Sequence, residues 1–188
     1  MSQNRLRIGI LFGGASRERE ISFAGGRTVY DNLDKTLFEP VPLFVDSFNN
    51  LILLDWQYIY KGTIRDFYPP ADLVGDSPFQ HYIENAPNGH DPAFQQACID
   101  RVGRRVRLEE LPQLIDFAFL CLHGQWGEDG SIQGLLQWLQ IPYSGAGIFG
   151  SAFGFDKGKQ KELSSKLDLK TPDFWILKFQ RLLYYFSK

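Results

Sequence analysis

Residues 115–122, from Ile115 to Leu122, are almost entirely apolar. A run of that kind has to be covered on both faces, which is the position of a central strand in a parallel sheet. It ends at His123-Gly124, and a helical pattern follows. Ser131 opens it, and Ile132, Leu135, Leu136 and Leu139 recur at i, i+3, i+4 and i+7. The same unit stands near the start of the chain. Residues 6–12 read as a buried strand, Gly13-Gly14 frees the backbone to turn, and a helix is expected over about 17–33. Its expected apolar stripe is Ile21, Ala24, Val29 and Leu33, with Gly25 and Thr28 beside it.

Between these units, residues 38–45 read as a strand whose beginning lies at a sheet edge, because Pro40 and Pro42 have no N–H to donate. Residues 46–112 are rich in proline and aromatics, and are expected to form an ordered insertion of short elements. Past residue 140, Ile141-Pro142-Tyr143-Ser144 reads as a short strand, 149–167 as a helix and 171–177 as a final strand. The alternation predicts an α/β fold: an open, mostly parallel sheet with helices on both faces and an irregular insertion. Ligands in such sheets bind beyond the carboxyl ends of the strands. The loops after Phe12, Leu122 and Ser144 should therefore meet at one edge.

Composition narrows the classes. The 188 residues are 44% apolar and 22% charged, with a formal charge of −2. That is enough chain to bury roughly 70% of the surface exposed on unfolding. No basic excess offers itself to nucleic acid. Cys98 and Cys121 form no disulfide framework or CxxC pair, which points to a reducing compartment. The apolar runs are too short to span a bilayer and the N-terminus is no signal peptide. The expected location is the cytoplasm, with no nucleic-acid or membrane partner.

Each of the three loops admits two readings. In Gly13-Gly14-Ala15-Ser16-Arg17-Glu18-Arg19-Glu20, glycines before a helix allow close approach of a ligand to unpaired N–H groups. Glu18 there is either a dipole complement or a ligand-binding carboxylate. The spacing is not GxGxxG, which disfavours a nicotinamide cofactor. In His123-Gly124-Gln125-Trp126-Gly127-Glu128-Asp129-Gly130, His123 is either a substrate-facing imidazole oriented by Glu128 or a buried histidine beside an ordinary turn. Asp129 stands where a helix cap belongs. After Tyr143-Ser144-Gly145-Ala146-Gly147 come Asp156-Lys157 and further lysines, which form a solvated face or supply one phosphate contact. His81 and His90 lie in the insertion and receive no role.

Together the loops are more specific than any one of them. Residues 11–22, beginning Leu11-Phe12-Gly13-Gly14, resemble the first signature of D-alanine–D-alanine ligases. Residues 123–134 resemble the second. Ile141-Pro142-Tyr143-Ser144-Gly145 with Asp156-Lys157 resembles the third in order and spacing. The likeness runs from about residue 6 to about residue 177, with a gap across the insertion.

The resemblance implies a Rossmann-like domain preceding an ATP-grasp fold. It further implies that ATP phosphorylates the carboxylate of one D-alanine and that the amine of a second attacks the acyl phosphate. The product is the dipeptide used in peptidoglycan, hence in cell-wall biogenesis and cell shape. By motif match, Glu18 and His123 are the catalytic candidates, Glu18 holding the first ammonium and His123 lying beside its carboxylate. Gly13, Gly14, Ser16 and Glu128 complete the substrate-binding set, and Lys157 reaches an ATP phosphate. No metal ligand is expected within the chain. The adenine pocket, the magnesium carboxylates and the choice among D-alanine, D-lactate and D-serine are expected outside it. Residues 1–177 are thus expected to be the first domain of such a ligase, catalytically incomplete alone and homodimeric, with 178–188 an unassigned tail. The alternatives are a stand-alone binding or dimerisation module derived from a ligase and, more remotely, an unrelated nucleotide-binding domain.

Overall fold

The computed structural model describes residues 5–74 and 82–175. Strand β1 (Leu6–Gly13) pairs in parallel with β2 (Phe38–Val45) on one side and with β5 (Phe117–Leu120) on the other. The insertion extends this sheet. Strand β3 (Leu51–Leu54) lies antiparallel to β2, and β4 (Gly103–Arg105) antiparallel to β3. The order is β4-β3-β2-β1-β5. The sheet is therefore mixed, with the parallel part where the strand–glycine–helix units predict it. Partners on β3 begin only at Leu43, so Pro40 and Pro42 sit where β2 has β1 alone beside it. That is the edge position the missing N–H groups require.

Alternation along the strands sorts two cores. Ile8, Ile10, Phe12, Phe44, Ile52 and Leu54 face one side and pack with Phe23 of helix α1 (Arg19–Asn32). Phe67, Tyr68 and Ile83 of the insertion join them. The insertion also holds α2 (Ala71–Val74) and α3 (Pro92–Val102), and α3 adds Cys98, Ile99 and Val102 to this core. On the other side Leu11, Leu43, Leu51, Ile115 and Ala118 pack with Leu111 of α4 (Leu111–Leu114) and Leu136 of α5 (Ser131–Trp138). Each fully buried Leu, Ile or Phe contributes about 1.5–3 kcal/mol. Cys98 and Cys121 are unpaired and buried, and burial pushes both thiols up to about 11. Among the described residues no helix is long and apolar enough to cross a membrane.

Four expectations change. Helix α1 does not bury Ile21, which is 63% exposed, or Ala24. It packs through Ser22, Phe23 and Gly26. The reason is close approach: a Cβ on Gly26 would stand 2.7 Å from the Phe12 ring, and Ser22 Oγ accepts from Gly13 N at 2.8 Å. Residues 141–144 form no full strand but one parallel bridge, Ala118 to Tyr143. The helix expected over 149–167 is two, α6 (Ile148–Phe155) and α7 (Lys157–Lys166), broken where Asp156 turns extended and caps Lys159 N at 3.0 Å. Residues 171–175 contain no strand, and 176–177 and the tail lie outside the described residues.

Candidate functional site

The parallel register carries the ends of β1, β2 and β5 to one edge, and the Tyr143 bridge brings Ser144 to the same edge. Gly13 turns the chain out of β1 at a φ of 97°, where a Cβ would collide with Val45 O. The N–H groups of Gly13 and Gly14 donate to Ser22 Oγ and Val45 O. These two glycines therefore shape the turn rather than present donors. Ser16 then receives the Glu18 N–H on its hydroxyl at 3.1 Å and the Arg19 N–H on its carbonyl at 3.2 Å. Glu18 occupies the N-cap position of α1, but its carboxylate caps nothing.

The second loop lies against the first. A Cβ on Gly124 would stand 2.7 Å from Ser16 Oγ. Three side chains hold this loop from within. Glu128 Oε2 accepts from Gly124 N at 2.7 Å, and Asp129 accepts from Trp126 N at 2.9 Å and Ser131 N at 3.0 Å. Gln133 Nε2 donates to Gly127 O at 2.9 Å. Burial opposes the charge of Asp129, but the N–H groups of Trp126 and Ser131 outweigh it and hold the carboxyl below its usual range. Asp129 is thus the acceptor for the helix start that the sequence places there.

His123 Nδ1 comes to 3.6 Å from Glu128 Oε1. One ligand atom from each of Glu18, His123 and Glu128 lies within 4.8 Å of the others. Two carboxylates beside an imidazole make a site of negative potential with several acceptors. Such a trio accepts a cation, and an ammonium with three N–H donors suits it without an ion.

From His123 and Glu128 a cleft of about 380 Å³ runs past Ser144, Gly145 and Ser151 to Lys157. The structure thus brings Lys157 into the same cleft as His123 and Glu128; Glu18 lies within reach of those two but is not among the residues that line the cleft. Two residues there had no reading in the sequence, Ser151 and Gln133. The signal for Gln133 was a polar residue inside the apolar stripe of α5. It is only 5% exposed, and its Oε1 is buried with no partner.

The chain has clear relatives. The family model described as the D-ala D-ala ligase N-terminus matches residues 7–146. A D-alanine–D-alanine ligase of Mycobacterium avium is 32% identical over 181 residues, covering 94% of this chain. The chain spans less than half, 45%, of that relative. Among solved structures, the VanG D-Ala:D-Ser ligase of Enterococcus faecalis aligns with a TM-score of 0.59 at 20% identity, over 90% of this chain and 44% of its own. At that identity it speaks for the fold alone. The Bacillus anthracis D-alanine–D-alanine ligase complexed with ATP aligns with a TM-score of 0.53 at 26% identity, over 90% of this chain and 37% of its own.

Proposed function

The chain belongs to the D-alanine–D-alanine ligase N-terminus family, and from that premise we propose that its loop edge receives the first D-alanine of an ATP-dependent ligase. The observation that carries this reading is the convergence of Glu18, His123 and Glu128 from two separate loops. Glu18 takes the ammonium of D-alanine in a charge-assisted hydrogen bond. His123 stands toward its carboxylate. Glu128 holds the loop through Gly124 N and keeps its other oxygen on the imidazole side. Gly13 and Gly14 shape the turn that leads to Glu18, and Ser16 accepts its N–H.

Among the described residues Lys157 is the one lysine or arginine lining the cleft, and it fits an ATP phosphate as a point charge. ATP supplies the phosphoryl group that activates the substrate carboxylate. Magnesium, expected with it, takes its ligands from the remainder of the enzyme, as do the adenine and the second substrate. The complete enzyme is a cytoplasmic homodimer feeding peptidoglycan synthesis. Residues 1–177 are its first domain and do not complete a turnover alone. Two facts support that last point: the relatives are about twice as long, and apolar α6 buries none of its residues, leaving Phe149 80% exposed. Groups from several domains must meet at one centre for such chemistry.

The test is a titration of the labelled 188-residue chain with D-alanine, followed by amide NMR. The expected result is a set of saturable shifts over 14–18 and 123–128 that vanish in Glu18→Gln. Shifts elsewhere, or none, would overturn the substrate assignment. Phosphate release that depends on D-alanine, and is lost in His123→Ala, would overturn the claim of incompleteness.

A further inference from the structure

Residues 46–112 contribute strands and core, but they also grip α1 immediately beyond Glu18. The grip centres on Arg19, whose side chain is only 11% exposed. Its Nη1 lies 2.6 Å from Glu84, and its guanidinium carbon stands 4.3 Å over the Tyr82 ring. The same guanidinium donates to Ser16 O at 3.0 Å and to Ala15 O at 3.3 Å. Glu84 is itself fixed by Ser47 Oγ at 2.6 Å, just after β2. One residue further on, Glu20 accepts from Ile64 N at 2.9 Å and from Tyr82 OH at 3.1 Å. The insertion thus holds both residues that follow Glu18, and through Arg19 it holds two carbonyls that precede it.

Glu18 has no cap bond to aim its carboxylate. Its direction follows from the turn that carries it, and beside the backbone and Ser16 contacts within that turn the Arg19 guanidinium ties two of its carbonyls to the insertion. Here the planar fork satisfies two loop carbonyls, one carboxylate and one aromatic face together, which a lysine cannot do. Taking a cation so far out of water is costly unless all its donors are used.

We propose that Arg19, braced by Glu84 and Tyr82, is the positioning residue that aims Glu18 at His123, so that the insertion orients the substrate-facing carboxylate. The proposal rests on the reading that Glu18 faces substrate, but its test needs no ligand. The imidazole resonances of His123 report whether a carboxylate stands beside the ring, and His123→Gln identifies them among the three histidines.

Glu18→Gln should move the His123 ring signals. Glu84→Gln should reproduce at least half of that displacement in the same direction, and Glu84→Asp should restore most of the wild-type position. The double variant, Glu18→Gln with Glu84→Gln, should add nothing to Glu18→Gln alone. A purely structural pair would lower the melting temperature and leave the ring signals in place, and that result would overturn the proposal. If Glu84→Gln fails to fold, Tyr82→Leu keeps every charge and should give a smaller displacement of the same sign. No displacement there overturns it equally. Loss of the D-alanine response with the ring displacements intact would defeat the substrate assignment alone.

Discussion

The neighbouring strands β1 and β2 each deliver a carboxylate beyond their carboxyl ends, and the two have opposite surroundings. Asp46, one residue past β2, is 2% exposed and saturated. Its Oδ1 accepts from Phe48 N and Asn50 N, each at 2.9 Å, and its Oδ2 from Asn50 Nδ2 and Tyr68 OH, each at 2.8 Å. Those contacts fill the roughly four acceptor positions a carboxylate has. Burial, and after it the charge of Asp46, pushes the Tyr68 phenol far above its ordinary range. Arg105 closes the network by gripping Asn50 Oδ1 and Gln96 Oε1. Glu18 is exposed, uncapped and set beside an imidazole and a second carboxylate. A polar group with every partner inside the protein can only stabilise. One left with spare acceptors can bind.

The comparison breaks most sharply at Asp46. Asp46→Ala should cost about 3 kcal/mol or more, because it strands buried donors at once. Urea denaturation measures this, and a loss under about 1 kcal/mol would mean that the network is not structural. Tyr68→Phe removes one bond to the buried carboxylate and should cost about 1.5–3 kcal/mol. Glu18→Gln should do the reverse of Asp46→Ala. Stability should change by about 0.3–1 kcal/mol. D-alanine affinity should fall about tenfold or more, the loss of a charge-assisted contact worth roughly 1.5–3 kcal/mol. Equal effects of these variants on melting and binding would erase the distinction.

A third carboxylate sharpens it from the far edge of the sheet. Asp116, just before β5, accepts from Arg7 Nη2 at 2.6 Å, Nε at 3.0 Å and the backbone N–H at 2.8 Å. The Arg7 guanidinium holds its carboxyl down at about 2. A depressed value means that the contribution is complete above the ordinary carboxylate range and is lost as pH falls from about 4 toward about 2. Because the pair is partly exposed, Asp116→Asn should cost at most about 1 kcal/mol at pH 7. Wild type and variant should converge in stability only below about pH 2, and a gap that persisted there would contradict the ion-pair account.

Much of the architecture was legible because parallel strands leave a double-sided apolar run, and such runs fix both the sheet and its ligand edge. That logic located the Gly13, His123 and Ser144 loops without any contact being known. It failed where burial is achieved by small residues. The face of α1 follows Ser22 and Gly26, which carry almost no hydropathy signal, so the apolar pattern points Ile21 inward while the fold exposes it. Strands β3 and β4 are too short for periodicity to register. Asp156 caps a new helix inside what reads as one continuous pattern. At the site, residue types left Glu18 and His123 with two readings each, and only the likeness of the three loops to the ligase signatures singled them out. The partners that hold them did not show, because Gln133 with Gly127 O and Arg19 with Glu84 are contacts made only by folding.

Strand β1 is the shared neighbour of β2 and β5, and this has a consequence for a chain made from its amino end. Synthesis supplies β1, α1 and β2 early, and domains tend to assemble as they emerge. Glu18 is then present at the start of its helix, and the insertion that grips Arg19 beside it follows. Its counterpart arrives only when β5 pairs with β1 and carries His123 to the same edge. A nascent or prematurely stopped product without β5 has the glycine turn but no pocket. The cluster of Glu18, His123 and Glu128 is therefore completed in a single late docking event, when β5 joins the sheet.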